Sequence, residues 1–344
     1  MSSIKKILIA IFLIIIFFIV INYDLVIYGL SQAKGQLEII RKARPNVEVL
    51  NDPNFPDSLK VNLRLVDNIK KFAFDSLGIN YSKNYSKVYD QKGKELMFVV
   101  TACEPFKLEP KEWTFPLIGT FSYKGFFNQE KAQALENELK KEGLDTNIRT
   151  AGGWSTLGWF EDPILSNMLD DDEAGFAELI LHELTHGTLF VKDSLRFNEN
   201  LATFIGIKGT ERYLTAKYGK NNKYLFDYQN LWKDRNKVSE HILRGAQYLD
   251  SVYNAMESGF PLELKLKIKG NTIDQILSSI DTLDLRTKEK FVDYFQKIKP
   301  NNTYFMSYLR YRGDFTLLEN ELNTRYHGDI KKMLEDYKSK YPSL

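Results

Sequence analysis

The chain has 344 residues, 43% of them hydrophobic and 27% charged, which is enough for one large globular domain or two smaller ones. The formal net charge of +2 gives no electrostatic basis for binding nucleic acid, and we predict no such partner. The single cysteine, Cys103, excludes an intramolecular disulfide and any zinc site built from several cysteines.

The N-terminus differs most clearly in composition from the rest of the chain. An unbroken apolar run extends from Ile7 to Ile21, and its apolar flanks lengthen it to what a bilayer core requires. The only small-x-small site, residues 31–33, lies too far beyond the run for normal signal-peptide cleavage, so we predict an uncleaved membrane anchor over residues 1–30. Lys5 and Lys6 lie closer to the run than the basic residues that follow it, which places the rest of the chain outside the cytoplasm, in a periplasmic or other extracytoplasmic compartment.

The segment after the anchor, residues 31–94, is predicted to be helical. Two amphipathic patterns carry this prediction, one over residues 31–43 that stops near Pro45 and one over residues 57–79. The sequence ELMFVVTAC at 95–103 is mostly apolar, so it predicts a central strand.

Further strand patterns occupy residues 113–127 and 144–160, on either side of a surface helix that Asn128 is expected to cap. From residue 170 onward helical patterns predominate. The order therefore predicts an α+β protein, with a small mixed sheet followed by a helical half. We take residues 95–344 as the functional domain.

The sequence HELTH holds two of the four histidines, His182 and His186, four residues apart in a predicted helix. This spacing places both imidazoles on one helix face, roughly 6 Å apart, where they can bind one metal ion. Glu183 is rotated by about 100° from His182, so it cannot join them but can reach a water at an open coordination position. This is the HExxH arrangement of zinc peptidases, with two ligands and a general base on one turn. Either histidine alone would more often be a core residue, but the joint pattern rarely arises by chance in a chain with so few histidines.

A third metal ligand is expected after the short connection VKDSL. Glu199 is our choice, because it falls in the first turn of the next predicted helix, which a short connection brings alongside the HExxH helix. Asp193 in the connection and Glu211, three turns further along, are the alternatives. Thr203, one turn beyond Glu199, could hydrogen-bond a ligand.

Beyond these residues the chain resembles a family of predicted bacterial zinc aminopeptidases, which carry HExxH and are membrane-anchored or lipoproteins. The resemblance runs nearly end to end and is strongest in GGWSTLGWFEDPILSNML, HELTH and FNENLATFIG. It implies a zincin-like fold of the gluzincin type, with His182, His186 and Glu199 as ligands of Zn²⁺ and Glu183 as the base. The chain departs from the family at Thr303, where alanine is usual, and it has no lipobox cysteine near its N-terminus, so its anchor would be the helix.

The resemblance also implies residues that act on the substrate. In related zinc peptidases a tyrosine or histidine from the helical half stabilises the oxyanion, and Tyr311, in the matching NN…Y block, is the candidate; simple packing is the alternative. STLGWF would be the edge strand that pairs with the substrate backbone. Glu161 and Asp162 beside it could hold the substrate ammonium, unless they form only a turn before Pro163.

These observations predict a membrane-anchored, zinc-dependent metallopeptidase that acts on peptide or protein substrates, and the resemblance favours an aminopeptidase. One alternative is a zinc endopeptidase. The other is a non-catalytic, metal-stabilised envelope binding protein. The intact Glu183 argues against the second alternative, because a purely structural metal does not need a general base.

Overall fold

The computed structural model describes residues 3–115, 119–150, 156, 160–257, 259–286 and 288–343, and it divides into two compact units, Met1–Ala43 and Arg44–Leu344. The first unit consists of α1 (Ser3–Ile21) and α2 (Tyr23–Lys42). Helix α1 is apolar and long enough to cross a membrane. The helix predicted at 31–43 is the second half of α2, so the predicted boundary at residue 30 falls inside a continuous helix.

The second unit contains all the described strands, which are short: β1 (Arg44–Pro45), β2 (Lys87–Tyr89), β3 (Phe98–Cys103), β4 (Trp113–Phe115), β5 (Gly119–Phe121), β6 (Lys124–Phe126), β7 (Asp145–Thr150) and β8 (Ile164–Leu165). In the described part of the chain they form a sheet β1-β2-β8, a sheet β6-β3-β7 and a hairpin β4-β5. Strand β2 is antiparallel to β1 and parallel to β8, whereas β3 is antiparallel to both its neighbours, with Phe98 opposite Phe126 and Thr150.

The central position predicted for the apolar strand is confirmed, because β3 is flanked on both sides and buried from Val99 to Cys103. Small sheets are found as expected, but within the described residues the strands form separate sheets and not the one mixed sheet predicted. Hydrophobic patterns identify strands but not their partners. Here β2 pairs with β8 across more than seventy residues of intervening chain, so the boundary predicted at residue 94 lies within the second unit.

The helices of the second unit are α3 (Asn46–Asn51), α4 (Asp57–Leu63), α5 (Val66–Ser76), α6 (Gln129–Lys141), α7 (Glu173–His186), α8 (Leu195–Tyr218), α9 (Lys223–Asn254), α10 (Leu262–Ser278), α11 (Lys288–Lys297), α12 (Asn302–Arg312), α13 (Phe315–Thr324) and α14 (Ile330–Lys340). As predicted, Asn128 caps α6: its Oδ1 accepts a hydrogen bond of 2.8 Å from the Lys131 amide. The helix predicted at 57–79 is divided into α4 and α5. The mixed α+β class is confirmed.

Helices α7 and α8 pack closely against each other, and a glycine makes this possible. A Cβ built on Gly206 of α8 would lie 2.9 Å from the Glu178 carbonyl oxygen and 3.4 Å from the Cβ of His182, both on α7. Any larger residue would therefore push the two helices apart. The contact brings the start of α8 beside the HExxH turn of α7.

Candidate functional site

The HExxH sequence lies in the last turns of α7. This helix starts at Asp172, whose Oδ1 accepts a hydrogen bond of 2.8 Å from the Gly175 amide, and it continues without a break to His186. The two Nε2 atoms of His182 and His186 are 3.2 Å apart, and their rings lie edge to face. His186 is buried, whereas His182 is partly accessible.

Glu199 completes the cluster from α8. Its Oε2 lies 3.5 Å from Nε2 of His182 and 3.6 Å from Nε2 of His186. Glu199 is in the second turn of α8, not the first as predicted, because the helix begins earlier, at Leu195. These three side chains converge in a group that could hold a metal ion.

The connection between α7 and α8 is held by Asn198, the residue before Glu199. Its side-chain amide donates to the Val191 carbonyl and accepts from the Val191 amide, both at 2.8 Å. This double hydrogen bond fixes the loop against the start of α8. It therefore also fixes the position of Glu199, the next residue on that helix.

The two alternative ligands do not lie with the histidines. Asp193 has a positive φ of 56° and its Oδ1 accepts a hydrogen bond of 2.8 Å from the Thr120 amide, so it serves the β4-β5 hairpin. Glu211 lies further along α8 and its Oε2 is 3.6 Å from the Nζ of Lys208. The structure therefore brings only the first choice, Glu199, to the histidine pair.

Interactions within this cluster shift the pKa values of Glu199 and His186 in opposite directions. Burial alone would raise the pKa of the Glu199 carboxyl, but the two imidazoles outweigh it and hold that pKa far below its usual value. Burial likewise lowers the pKa of His186, and the Glu199 carboxylate more than reverses the effect. Glu199 is therefore an ionised carboxylate aimed at two imidazole nitrogens.

Glu183 occupies a different environment on the same helix turn. It is half-buried, and it makes no hydrogen bond or ion pair with any residue that the structure describes. Its charge contributes to raising the pKa of Tyr85, Asp162 and Tyr311. Among the described residues Glu183 is thus a carboxylate without a fixed partner, and its charge acts on these three side chains.

Tyr311 comes from the end of α12, which Asn200 holds against α8. The Asn200 side chain donates to the Arg310 carbonyl at 2.6 Å and accepts from the Asp314 amide at 2.9 Å. Since Asn200 follows Glu199 and Arg310 precedes Tyr311, these bonds join the two ends of the site. Burial and the charges of Glu199 and Glu183 raise the pKa of Tyr311, so its phenol keeps its proton.

Two further residues near this site, Arg149 and Tyr123, belong to no motif in the sequence. Arg149, on β7, donates a hydrogen bond of 3.0 Å from Nη2 to the Tyr311 hydroxyl. Burial and the charge of Glu199 raise the pKa of Tyr123, which follows β5. The available signal was an arginine in an edge strand directly before the GGWSTLGWF block.

Asp162 is more deeply buried than an ammonium-binding residue should be. Only 1% of it is exposed, and its carboxylate accepts hydrogen bonds from the Thr156 amide (2.8 Å), the Thr156 hydroxyl (2.7 Å) and Nδ2 of Asn84 (3.3 Å). It therefore holds Thr156 in place. Glu161 is exposed and lies 3.7 Å from the Nζ of Lys83. Most of the predicted edge strand, STLGWF, lies outside the described residues.

Comparison with known proteins places the chain in a family. The family whose description reads "Putative aminopeptidase" matches residues 27–340, a range that contains the histidine pair, Glu183, Glu199 and Tyr311. Neither the curated proteins nor the solved structures contain a significant match to the chain. Because the family match covers most of the sequence, the protein belongs to this putative aminopeptidase family.

Proposed function

We propose that the protein is a membrane-anchored, zinc-dependent aminopeptidase of the gluzincin type, with His182, His186 and Glu199 as the metal ligands. The observation that carries the proposal is the convergence of one carboxylate oxygen and two imidazole nitrogens at mutual distances of 3.2, 3.5 and 3.6 Å. Family membership supports peptidase activity independently of this geometry.

The spacing of the three donor atoms fits an ion of the right size. A triangle with sides of 3.2, 3.5 and 3.6 Å has its centre about 2.0 Å from each corner, and zinc binds histidine nitrogen and carboxylate oxygen at about 2.0–2.2 Å. Two imidazoles and one carboxylate suit zinc better than magnesium or calcium, which prefer oxygen ligands. Three protein ligands leave the fourth position of a tetrahedral site open to water or substrate.

A bound Zn²⁺ would supply Lewis-acid chemistry, since it lowers the pKa of water towards neutrality and polarises a carbonyl group. In the proposed reaction the Glu183 carboxylate takes a proton from the attacking water and then delivers it to the leaving amine. The Tyr311 hydroxyl donates a hydrogen bond to the oxyanion. Arg149 holds that hydroxyl, because it donates to the oxygen and leaves the phenolic hydrogen free to point at the substrate.

The preference for free N-termini rests on the family. Asp162 is almost fully buried and accepts two hydrogen bonds from Thr156, whereas Glu161 is exposed, so Glu161 is the better candidate of the pair. The endopeptidase alternative differs from this proposal only in whether the substrate N-terminus is recognised.

The test is metal analysis and peptide cleavage on the full-length protein purified in detergent. We expect about one zinc per chain, together with cleavage of peptides with free N-termini and little cleavage of their N-acetylated counterparts. Equal cleavage of both would identify an endopeptidase. Stoichiometric zinc without any cleavage would favour the binding protein, and the absence of zinc would overturn the proposed ligand set.

A further inference from the structure

A cavity of about 270 Å³ lies between α9, α11 and α12, and it reaches the candidate site because Tyr311 is part of its wall. Two arginines, Arg235 of α9 and Arg312 of α12, line it together with the aromatic rings of Phe291 and Tyr308. The cavity therefore combines positive charge with apolar surface next to the proposed reaction centre.

Arg312 forms no ion pair with a carboxylate among the described residues, although the charge of Glu178 acts on it and raises its pKa. Its guanidinium makes no hydrogen bond or ion pair with any described residue, and Nη1 is buried. The guanidinium lies over the Trp232 ring, 4.7 Å from the ring centre, and this contact does not satisfy the N–H donors of Nη1. A cation removed from water without a partner is costly, and burial lowers the pKa of Arg312 accordingly. A planar fork of N–H donors is the geometry that binds a carboxylate through two hydrogen bonds.

Among the described residues, one carboxylate acts on Arg312, and it already interacts with two other side chains. Glu178 of α7 accepts a hydrogen bond of 2.7 Å from the Tyr228 hydroxyl, and its Oε2 lies 3.7 Å from Nη1 of Arg235. One negative charge thus faces two guanidinium groups, so this wall keeps an excess of positive charge. Glu178 precedes His182 by one helical turn, so the carboxylate that faces these arginines is on the helix that carries the two proposed histidine ligands.

We propose that this cavity binds a carboxylate of the peptide substrate, with Arg312 as the principal donor and Arg235 beside it. The inference rests on the proposed function, which it deepens by naming the substrate class: peptides with an acidic side chain or a free terminal carboxylate within reach of the site. Both sources offer the same group to the guanidinium fork, and Phe291 and Tyr308 would pack against the apolar part of the bound residue.

The test is calorimetric binding of short peptides to full-length Glu183→Gln protein in detergent, so that no substrate is consumed. One pair of N-terminally free peptides is Ala-Ala-Glu-Ala amide and Ala-Ala-Gln-Ala amide; the other is tri-alanine with a free or an amidated C-terminus. We expect at least one carboxylate peptide to bind about 10-fold or more tightly than its neutral counterpart. The pair that shows the difference identifies the source of the carboxylate.

Variants assign the preference to the cavity. Arg312→Gln should abolish it and Arg312→Lys should keep only part, because an ammonium cannot form the two-pronged contact. If Arg312→Gln does not fold, Arg235→Gln decides, since the side chain of Arg235 is 42% exposed and its loss leaves the packing intact; we expect it to reduce the preference. Arg244→Gln, an exposed position on the same helix outside the cavity, should change nothing.

Equal affinity within both peptide pairs, no detectable binding of either carboxylate peptide, or a preference unchanged by Arg312→Gln and Arg235→Gln would each overturn the proposal. Cleavage by the wild-type enzyme separates this result from the proposed function. Wild-type cleavage without any carboxylate preference removes the cavity proposal and leaves the peptidase. Arginine-dependent binding without wild-type cleavage supports the cavity and removes the peptidase.

Discussion

Two glutamates at the site have identical side chains in very different surroundings. Glu199 is buried, and the two imidazoles favour its ionised form at a fixed position. Glu183 is half-buried and has no partner among the described residues. A ligand must be held in place, whereas a general base must be free to accept and release a proton, and these surroundings support the proposal of Glu199 as the ligand and Glu183 as the base.

Substitution of Glu183 tests the proposed base. Glutamine is nearly isosteric but cannot accept the proton, so Glu183→Gln should keep its zinc and its fold. It should lose about 10²–10⁴-fold in kcat, or about 3–5 kcal/mol in the activation barrier. Glu173→Gln, at the start of the same helix, is the matched control and should retain activity. Unchanged turnover in zinc-loaded Glu183→Gln would eliminate the mechanism.

Substitution of Glu199 tests the third ligand by metal content alone. Glu199→Ala removes the only carboxylate of the cluster, and we expect zinc in the purified variant to fall well below one equivalent. Glu211→Ala, on the same helix but paired with Lys208, should keep its zinc. The prediction fails if the two variants retain equal zinc with equal affinity.

Asp162 should make stability depend on pH. Burial raises its pKa to about 6, and the charge of Glu183 acts in the same direction, against the hydrogen bonds from Thr156. The unfolded chain, in which the Asp pKa is about 3.9, therefore releases this proton first. Stability contributed by Asp162 is fully present below about pH 4, and it is lost as the pH rises to about 6.

The free energy of unfolding of the wild type, measured in urea relative to Asp162→Asn, should consequently fall between pH 4 and pH 7.5. A shift of about two units corresponds to about 3 kcal/mol at most. Other titrating groups cancel in the difference between the two proteins. A difference that stays constant over this range would show that Asp162 is not protonated in the folded protein at pH 4–6.

The sequence predicted those site residues whose chemistry depends on local spacing. The histidine pair and Glu183 share one helix turn, so helix geometry alone brings them close. Glu199 follows after a short connection, and the packing of α8 against α7 brings it to them. Arg149 and Tyr123 reach the site from separate strands, and no local pattern encodes a contact such as that between Arg149 and Tyr311, 162 residues apart. The burial of Asp162 could not be predicted for the same reason, since its partner Asn84 lies 78 residues away.

At the scale of secondary-structure elements, the site depends on how closely α7 and α8 approach each other. Gly206→Ala would place a methyl group 2.9 Å from a backbone oxygen of α7, so the helices would have to separate. We expect a loss of about 1–3 kcal/mol in stability and weaker zinc binding, because Glu199 moves with α8.

A second helix glycine provides the control for this prediction. A Cβ on Gly270 of α10 would meet nothing within 4 Å. Gly270→Ala should therefore stabilise the protein by about 1 kcal/mol through helix propensity alone, with zinc affinity unchanged. Thermal unfolding and competitive zinc titration measure both effects. Equal behaviour of the two variants would contradict the packing argument.

Elements were predictable where the hydrophobic period was clear. The apolar period of α7 and the cap of α6 were sufficient to identify both helices. Helix α10 was not predicted, because its first half, LELKLKIK, alternates apolar and charged residues with the period of a strand. In the structure Leu262, Leu264 and Leu266 of this helix are exposed, so that alternation does not correspond to a buried face.

For the whole molecule, the apolar N-terminal helix raises the question of where the enzyme acts. All the residues proposed for catalysis and metal binding belong to the second unit, Arg44–Leu344, and α1 belongs to the first. Helix α1, the proposed anchor, is therefore separate in sequence from the residues of the candidate site. Its removal should change the location of the protein and leave the zinc content of the second unit unchanged.

The anchor is tested by making α1 too polar to insert. A lysine at the centre of a membrane helix costs about 2.5–3.5 kcal/mol, so Ile11→Lys combined with Phe12→Lys should move the full-length protein from the membrane fraction to the soluble fraction. The control places two lysines at Leu262 and Leu264, which are also exposed, and should leave the protein in the membrane.

Reporter enzymes fused after residue 50 test the orientation of the chain, for which Lys5 and Lys6 favour a cytoplasmic N-terminus. We expect the reporter that works only outside the cytoplasm to be active. Activity of the cytoplasmic reporter alone would reverse the proposed orientation, and membrane association of the double-lysine α1 variant would show that another part of the chain binds the membrane.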